Sequence, residues 1–185
     1  MENFRILFLL LIGLGLMTFP HTSVNAGELK FKDCSETDKK NIKSAISWIK
    51  GNMKLIDRKM GKNGLMDWPG KSRKKFVAKI DKKLKFICKN KKNKCAPQSD
   101  GTVLFGKVVP VFKQRTIQLC TNNFYAGKAN YVGTIAHEVA HLIRLNAHRL
   151  KKCKKYTNPR FSQSVGMAAL HAYKNKTYKA ENWGC

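Results

Sequence analysis

The sequence predicts an α+β fold with an N-terminal helical hairpin, a small β-sheet, a helix that carries the motif HExxH and a C-terminal helix. Three observations predict it. Apolar residues recur every three or four positions in two stretches of the first half, β-branched residues crowd the middle, and an almost uncharged segment follows. Helices therefore stand before and after a short run of strands along the chain.

The first 26 residues are expected to be an export signal. Arg5 ends a short polar start, an apolar run occupies residues 6–19, and residues 24–26 place small side chains where signal peptidase cuts. Such a run is short for a bilayer span, although an uncleaved anchor would tether the same domain outside the membrane. We assign residues 1–26 to a signal peptide and residues 27–185 to one domain that is secreted, extracellular or periplasmic.

Positive charge dominates the composition. The chain has 37 Lys and Arg against 11 Asp and Glu, a formal charge of +26, and removal of the signal takes away only Arg5 and Glu2. We expect such a chain to meet anionic surfaces through a lysine-rich face. The lysine runs lack interleaved aromatic residues and lysine greatly outnumbers arginine, so no specific nucleic acid is predicted as a partner.

Two amphipathic helices are expected ahead of the strands. The first begins after Ser35, which forms a capping box with Asp38, and runs to Met60. The second has an apolar face that consists of Val77, Ile80, Leu84 and Ile87. Packed antiparallel, these helices would place Cys34 beside Cys88.

Six cysteines follow the signal, at positions 34, 88, 95, 120, 153 and 185. An even set in an exported chain predicts three disulfides. We pair Cys34 with Cys88 by the helix geometry and Cys95 with Cys120 across the strands, which leaves Cys153 for Cys185. The strands are expected within residues 102–105, 107–112 and 116–119. A further helix is expected over residues 165–173.

The segment 116–143 contains one basic and one acidic residue, and we expect it to be interior. Within it stands the HExxH motif, residues 137–141. On a helix, His137 and His141 lie one turn apart on one face, so that both imidazoles can bind one Zn²⁺ ion. Glu138 beside them can accept a proton from water. The motif predicts one zinc per chain, His137 and His141 as metal ligands, and Glu138 as the catalytic residue.

The third metal ligand is less defined. The metzincin pattern, which needs Gly and His at the third and sixth positions after the second histidine, is absent. In a continuous helix His148 would stand roughly 10 Å along the axis from His141, so it can join the site only if the chain turns. Asn146 suits such a turn. We predict His148 as the third ligand, and His171 and Glu181 remain alternatives.

Several stretches resemble one known family. Residues 116–120, 124–125 and 133–142 are similar to the deuterolysin family of zinc endopeptidases, also called aspzincins, which includes peptidyl-Lys metalloendopeptidases. A cysteine just ahead of a long helix is a shared feature, and residues 179–183 echo the family's closing signature. The resemblance implies a zincin-like metallopeptidase domain that hydrolyses internal bonds of protein or peptide substrates, with Glu138 as general base.

Two departures from the family pattern bear on activity. The family's third ligand is an Asp shortly after HExxH, and here residues 146–148 occupy that place, so His148 is expected to substitute. If it does not, the chain is an inactive relative that acts as a cationic binding or toxin-like protein on anionic surfaces. In the closing signature Glu181 is present but Gly184 replaces a second carboxylate, so a preference for lysine is not expected. Tyr156 is the candidate for stabilising the oxyanion.

Overall fold

The computed structural model describes residues 29–62, 65–89, 95, 106–108, 115–123, 127–143 and 161–176. No helix in these ranges is both long and apolar enough to span a bilayer. The predicted α+β class is confirmed. The elements are β1 (Lys30–Lys32), α1 (Glu36–Gly51), α2 (Met53–Lys59), α3 (Ser72–Ile80), β2 (Lys85–Cys88), β3 (Gly106–Val108), β4 (Thr116–Leu119), a 3₁₀ turn (Thr121–Asn123), α4 (Lys128–Leu142) and α5 (Phe161–Lys174).

The strands form one sheet in the order β1-β2-β4-β3. β1, β2 and β4 are parallel, and β3 is antiparallel to β4 at the edge. Phe31, Phe86 and Ile117 are neighbours across the three parallel strands, so they share one face of the sheet. Phe86 and Ile117 are fully buried, and Phe31 packs against the core, so this is the face turned towards the helices.

The start of α1 follows the predicted capping box. The Ser35 hydroxyl accepts a hydrogen bond from the Asp38 amide at 3.1 Å, and the Asp38 carboxylate accepts one from the Ser35 amide at 3.2 Å. The single helix expected as far as Met60 is instead divided at Asn52. There the Asn52 side-chain amide donates to the Trp48 carbonyl at 2.8 Å, and the residue before it is Gly51. Gly followed by Asn is a pair that favours helix ends, which explains the break.

The second helix of the predicted hairpin is shorter than expected. α3 ends at Ile80, and Leu84 and Ile87 lie before and within strand β2 rather than on a helical face. The apolar spacing changes from the helical period to alternation at this point, because Leu84 and Phe86 are buried and Lys85 between them is exposed. The N-terminal half is therefore a strand, three helices and a parallel strand, a connection that parallel pairing requires.

Two predicted disulfides are confirmed. Cys34–Cys88 joins Cα atoms 4.8 Å apart, and Cys95–Cys120 joins Cα atoms 5.5 Å apart. The reason given for the first pair was wrong, since Cys34 follows β1 and Cys88 ends β2, its neighbour in the sheet. The third pair, Cys153–Cys185, lies outside the described residues. Strand β4 matches the prediction for residues 116–119, and β3 overlaps the range 107–112.

α4 lies in the interior, as the uncharged segment predicted. It packs against α1, α5 and the strands β3 and β4. Tyr131 on α4 donates a hydrogen bond to the Asp38 carboxylate at 2.6 Å, which ties α4 to the capping box of α1. Burial, and then this bond to the carboxylate, raises the pKa of Tyr131 above its ordinary value, so the hydroxyl remains a donor across the neutral range.

Loss of the Tyr131 hydroxyl is expected to destabilise the domain. Tyr131→Phe removes a partly buried hydrogen bond to a charged acceptor and should lower the free energy of unfolding by about 1–3 kcal/mol in urea titrations. Tyr173→Phe is the matched control, because the Tyr173 ring packs edge-on against Trp48 at 5.0 Å and that contact survives the change. Equal losses in the two variants would contradict the role assigned to the Tyr131 hydroxyl.

Candidate functional site

The HExxH motif lies on a helix, as predicted. α4 begins after Gly127, whose φ of 68° is in the left-handed region that favours glycine, and it ends at Leu142. Most of its side chains are buried, and His137 and His141 are half-buried on the same face. The helix therefore holds the two imidazoles one turn apart, at the boundary between core and solvent.

The two imidazoles approach each other through the same ring atom. Their Nε2 atoms are 3.0 Å apart, with ring centroids separated by 4.6 Å and ring planes at 83°. At this distance one neutral ring donates to the other, or both nitrogens share a cation. Two histidine ligands of a tetrahedral zinc lie about 3.3 Å apart, from Zn–N bonds of about 2.0–2.1 Å. The pair thus fits two ligand positions of a zinc ion with a small change in side-chain angles.

Glu138 is buried between α4 and β3. Its exposed fraction is 3%. A Cβ atom placed on Gly106 of β3 would come within 2.8 Å of Glu138 Oε1 and 3.0 Å of Glu138 Cγ, and within 2.8 Å of Thr134 Cγ2. The absence of a side chain at Gly106 therefore makes the room that the carboxylate occupies. A carboxylate is costly to bury for packing alone, so its position favours a chemical role.

His137 is held from the other side by α5. A Cβ atom on Gly166 would lie 2.9 Å from His137 Cβ and 2.9 Å from the Gly133 carbonyl oxygen. Gly133 in turn faces Gly166 and Leu170, so glycines on both helices let the two backbones meet. The first histidine is therefore packed directly against the backbone of α5.

His171 does not belong to this site. Gly133 packs beside Leu170 and His137 beside Gly166, so α4 and α5 run antiparallel and His171 lies towards the N-terminal half of α4. No group of three His, Cys, Asp or Glu side chains able to hold a metal is found in the described part of the chain. His171 is instead buried with an exposed fraction of 1%, and burial, followed by the charge of Lys59, lowers its pKa to about 4.

The remaining candidates, His148, Glu181 and Tyr156, lie outside the described residues. α4 ends four residues before Asn146, where the turn was expected, and the Ile143 amide closes the last turn by donating to the Ala140 carbonyl at 3.2 Å.

Sequence reasoning missed Gly106 and Gly166. Each is an isolated glycine within a strand or helix, a pattern that indicates close approach of another backbone or side chain. The signal was present, but it does not identify which group approaches. That information comes only from the packing of α4 against β3 and α5.

Comparisons of the chain with protein-family models, with curated proteins and with solved structures found no match.

Filling the space beside Glu138 is expected to destabilise the fold. Gly106→Ala places a methyl group against Glu138 and Thr134, and overpacking of this kind should lower the free energy of unfolding by about 1–3 kcal/mol. Gly51→Ala is the control, because nothing lies within 4 Å of a Cβ atom there and alanine favours helix. Urea unfolding measures both. If the Gly106→Ala protein were as stable as the control, β3 would be able to shift without cost, and its backbone would not hold Glu138 in place.

Acid should weaken the fold through His171. The folded pKa of about 4 lies below the ordinary value of 6.5, so between these pH values the unfolded chain binds a proton that the folded chain does not. The free energy of unfolding should therefore fall by about 1–3 kcal/mol as the pH drops through this window. His171→Leu should show a shallower fall, measured by urea unfolding in chelator. Parallel pH profiles of the two proteins would contradict this assignment.

Proposed function

We propose that this chain is an exported, zinc-dependent endopeptidase. The observation that carries the proposal is the pair of Nε2 atoms of His137 and His141, 3.0 Å apart on α4, with the buried carboxylate of Glu138 in the same helical turn. Two imidazoles and a carboxylate in this order are the protein groups that a metal-dependent hydrolase of the HExxH type uses.

The three residues of the motif have different roles in the proposed hydrolysis. His137 and His141 would hold the ion, and a bound Zn²⁺ supplies the Lewis acidity that activates water near neutral pH and polarises a carbonyl. The Glu138 carboxylate accepts the proton of the attacking water and returns it to the departing amine. Its exposed fraction of 3% supports this role, because bulk water has little access to the proton that it carries.

We propose His148 as the third ligand. It follows the end of α4 by six residues, and histidine is a common zinc ligand in catalytic sites. Glu181 is the remaining alternative, since carboxylates also bind zinc and it is the one acidic residue after the motif. Tyr156 is the proposed oxyanion-stabilising residue by resemblance alone. Gly184 in the closing segment argues against a pocket that prefers lysine.

Export is proposed on two grounds. The Cys34–Cys88 and Cys95–Cys120 disulfides are of the kind that persists in oxidising compartments. The apolar N-terminal run with a peptidase site after Ala26 would deliver the chain to such a compartment.

The decisive experiment separates metal binding from catalysis. Glu138→Gln should retain about one zinc per chain while cleavage of casein falls by about 10²–10⁴-fold, because the general base is lost and the ligands are not. His137→Ala and His141→Ala should lose both the metal and the activity. Metal analysis of purified protein and a chelator-sensitive cleavage assay measure the two properties. Full activity in Glu138→Gln would remove the residue from the mechanism.

The same assays identify the third ligand and the alternative function. Zinc content should fall in His148→Ala and stay unchanged in Glu181→Ala, and the reverse result would assign the position to Glu181. The His171→Leu protein serves as the control that keeps its zinc. A wild-type chain that holds no zinc and cleaves nothing when zinc is supplied would instead be an inactive, cationic binding protein.

A further inference from the structure

The face of the sheet opposite the core carries lysines. Lys30 and Lys32 of β1 and Lys85 of β2 are exposed, and they alternate with Phe31 and Phe86, which face the helices. Successive side chains of a strand point to opposite faces, so the lysines face outwards and the phenylalanines face the core. Net charge alone does not require lysines at these positions.

The strand register arranges this face in two rows. Lys30, Lys85 and Thr116 are neighbours across β1, β2 and β4 in one row. In the next row Ile87 separates Lys32 from Gln118. Neighbouring strands lie about 4.8 Å from each other, and residues i and i+2 on one strand are separated by about 6.6 Å. The Cα atoms of the lysines are therefore held at short, fixed spacings. We call Lys30, Lys32, Lys85, Thr116 and Gln118 the basic sheet face.

Protection of a sheet edge does not account for all of this charge. β1 is an edge strand, and lysines on an edge prevent pairing with other chains. Lys85, however, lies on β2, which is paired on both sides by β1 and β4. Lys30 and Lys85 are also direct neighbours, and like charges in that position are destabilising.

Carboxylates of the described residues do not offset this repulsion. The ion pairs found in the described ranges join Lys39 to Glu36, Lys50 to Asp81 and Arg73 to Asp57, all on or beside helices. Lys30, Lys32 and Lys85 take part in none of these pairs. An anionic partner on this face would offset the repulsion between Lys30 and Lys85.

We propose that the basic sheet face binds the phosphodiester backbone of a nucleic-acid strand without regard to its sequence. Lysine binds phosphate as a point charge, and Thr and Gln side chains donate hydrogen bonds to phosphate oxygens. Phe31 and Phe86 lie on the opposite face, so no ring of these strands is available to stack on bases. The contact is therefore electrostatic.

A lipid bilayer suits this face less well. Membrane adsorption is strengthened by apolar side chains that insert beside the charges. The exposed large apolar residue of the described ranges is Met66, and its amide donates to the Ser164 hydroxyl on α5 rather than to a strand. Beside one half-buried apolar side chain, Ile87, the basic sheet face offers charge and hydrogen-bond donors, which match a phosphate chain.

The test compares two triple variants of equal net charge. Lys30→Gln, Lys32→Gln and Lys85→Gln together remove the lysines of the basic sheet face. Lys71→Gln, Lys74→Gln and Lys75→Gln remove three exposed lysines on and just before α3. Binding of a fluorescent dT20 oligonucleotide is measured by anisotropy from 50 to 200 mM salt, together with thermal melts to verify that each variant folds.

The sheet variant should lose about 2 from the slope of log K against log salt, since each phosphate contact on single strands contributes about 0.7. Its affinity at 50 mM salt should fall at least tenfold, whereas the α3 variant should change little in either measure. A triple Lys→Arg variant at the sheet positions should restore the slope. Zinc content and casein cleavage should be unaffected, so this result is independent of the peptidase assignment.

Three results would overturn the proposal. Equal losses in the two glutamine variants would show that net charge alone drives binding. An unchanged slope in the sheet variant would place the contact elsewhere. A sheet variant that loses affinity for vesicles rich in anionic lipid but not for dT20 would assign the face to membranes.

Discussion

The site depends on the close packing of α4 against the backbones of β3 and α5, each of which has a glycine at the point of contact. At Gly166 the backbone of α5 lies against His137, and at Gly106 the backbone of β3 lies against Glu138. An added methyl group at either position would lie 3.0 Å or less from the functional side chain or its neighbours, closer than packed atoms approach. Adjacent residues of one helix are thus held from two sides, and the direction of both side chains follows from the fold.

The same packing connects the site to the first half of the chain. α4 is joined to α1 by the bond from Tyr131 to Asp38, and Asp38 also completes the capping box with Ser35. Cys34 precedes this box and is bonded to Cys88 at the end of β2. The Cys34–Cys88 disulfide, the start of α1 and the HExxH helix α4 are therefore linked by direct contacts.

What the sequence predicted correctly was local. The capping box, the HExxH helix and strand β4 are each encoded by residues within one or two turns or one strand, and the structure has all of them. The Cys34–Cys88 pair was also predicted, but from a second helix that extends to Ile87, whereas α3 ends at Ile80. The pairing is correct because parallel strands β1 and β2 bring the same two residues together. What failed were boundaries. Leu84 and Ile87 fit a helical spacing, whereas Leu84 and Phe86 fit a strand alternation, and pairing with β1 and β4 decides between the two. Contacts of Gly106 and Gly166 depend on elements distant in sequence, so no local pattern predicts them.

Charge is distributed so that a cation site and a basic surface can exist in one small domain. A chain of +26 repels a divalent ion at long range. α4 itself carries one lysine, Lys128, nine residues and therefore about 13 Å along the axis from His137, which is beyond the Debye length of about 8–10 Å. The exposed lysines of β1 and β2 lie on the face of the sheet opposite the one that packs with the helices. The proposed cation site and the basic sheet face thus lie on opposite sides of the sheet.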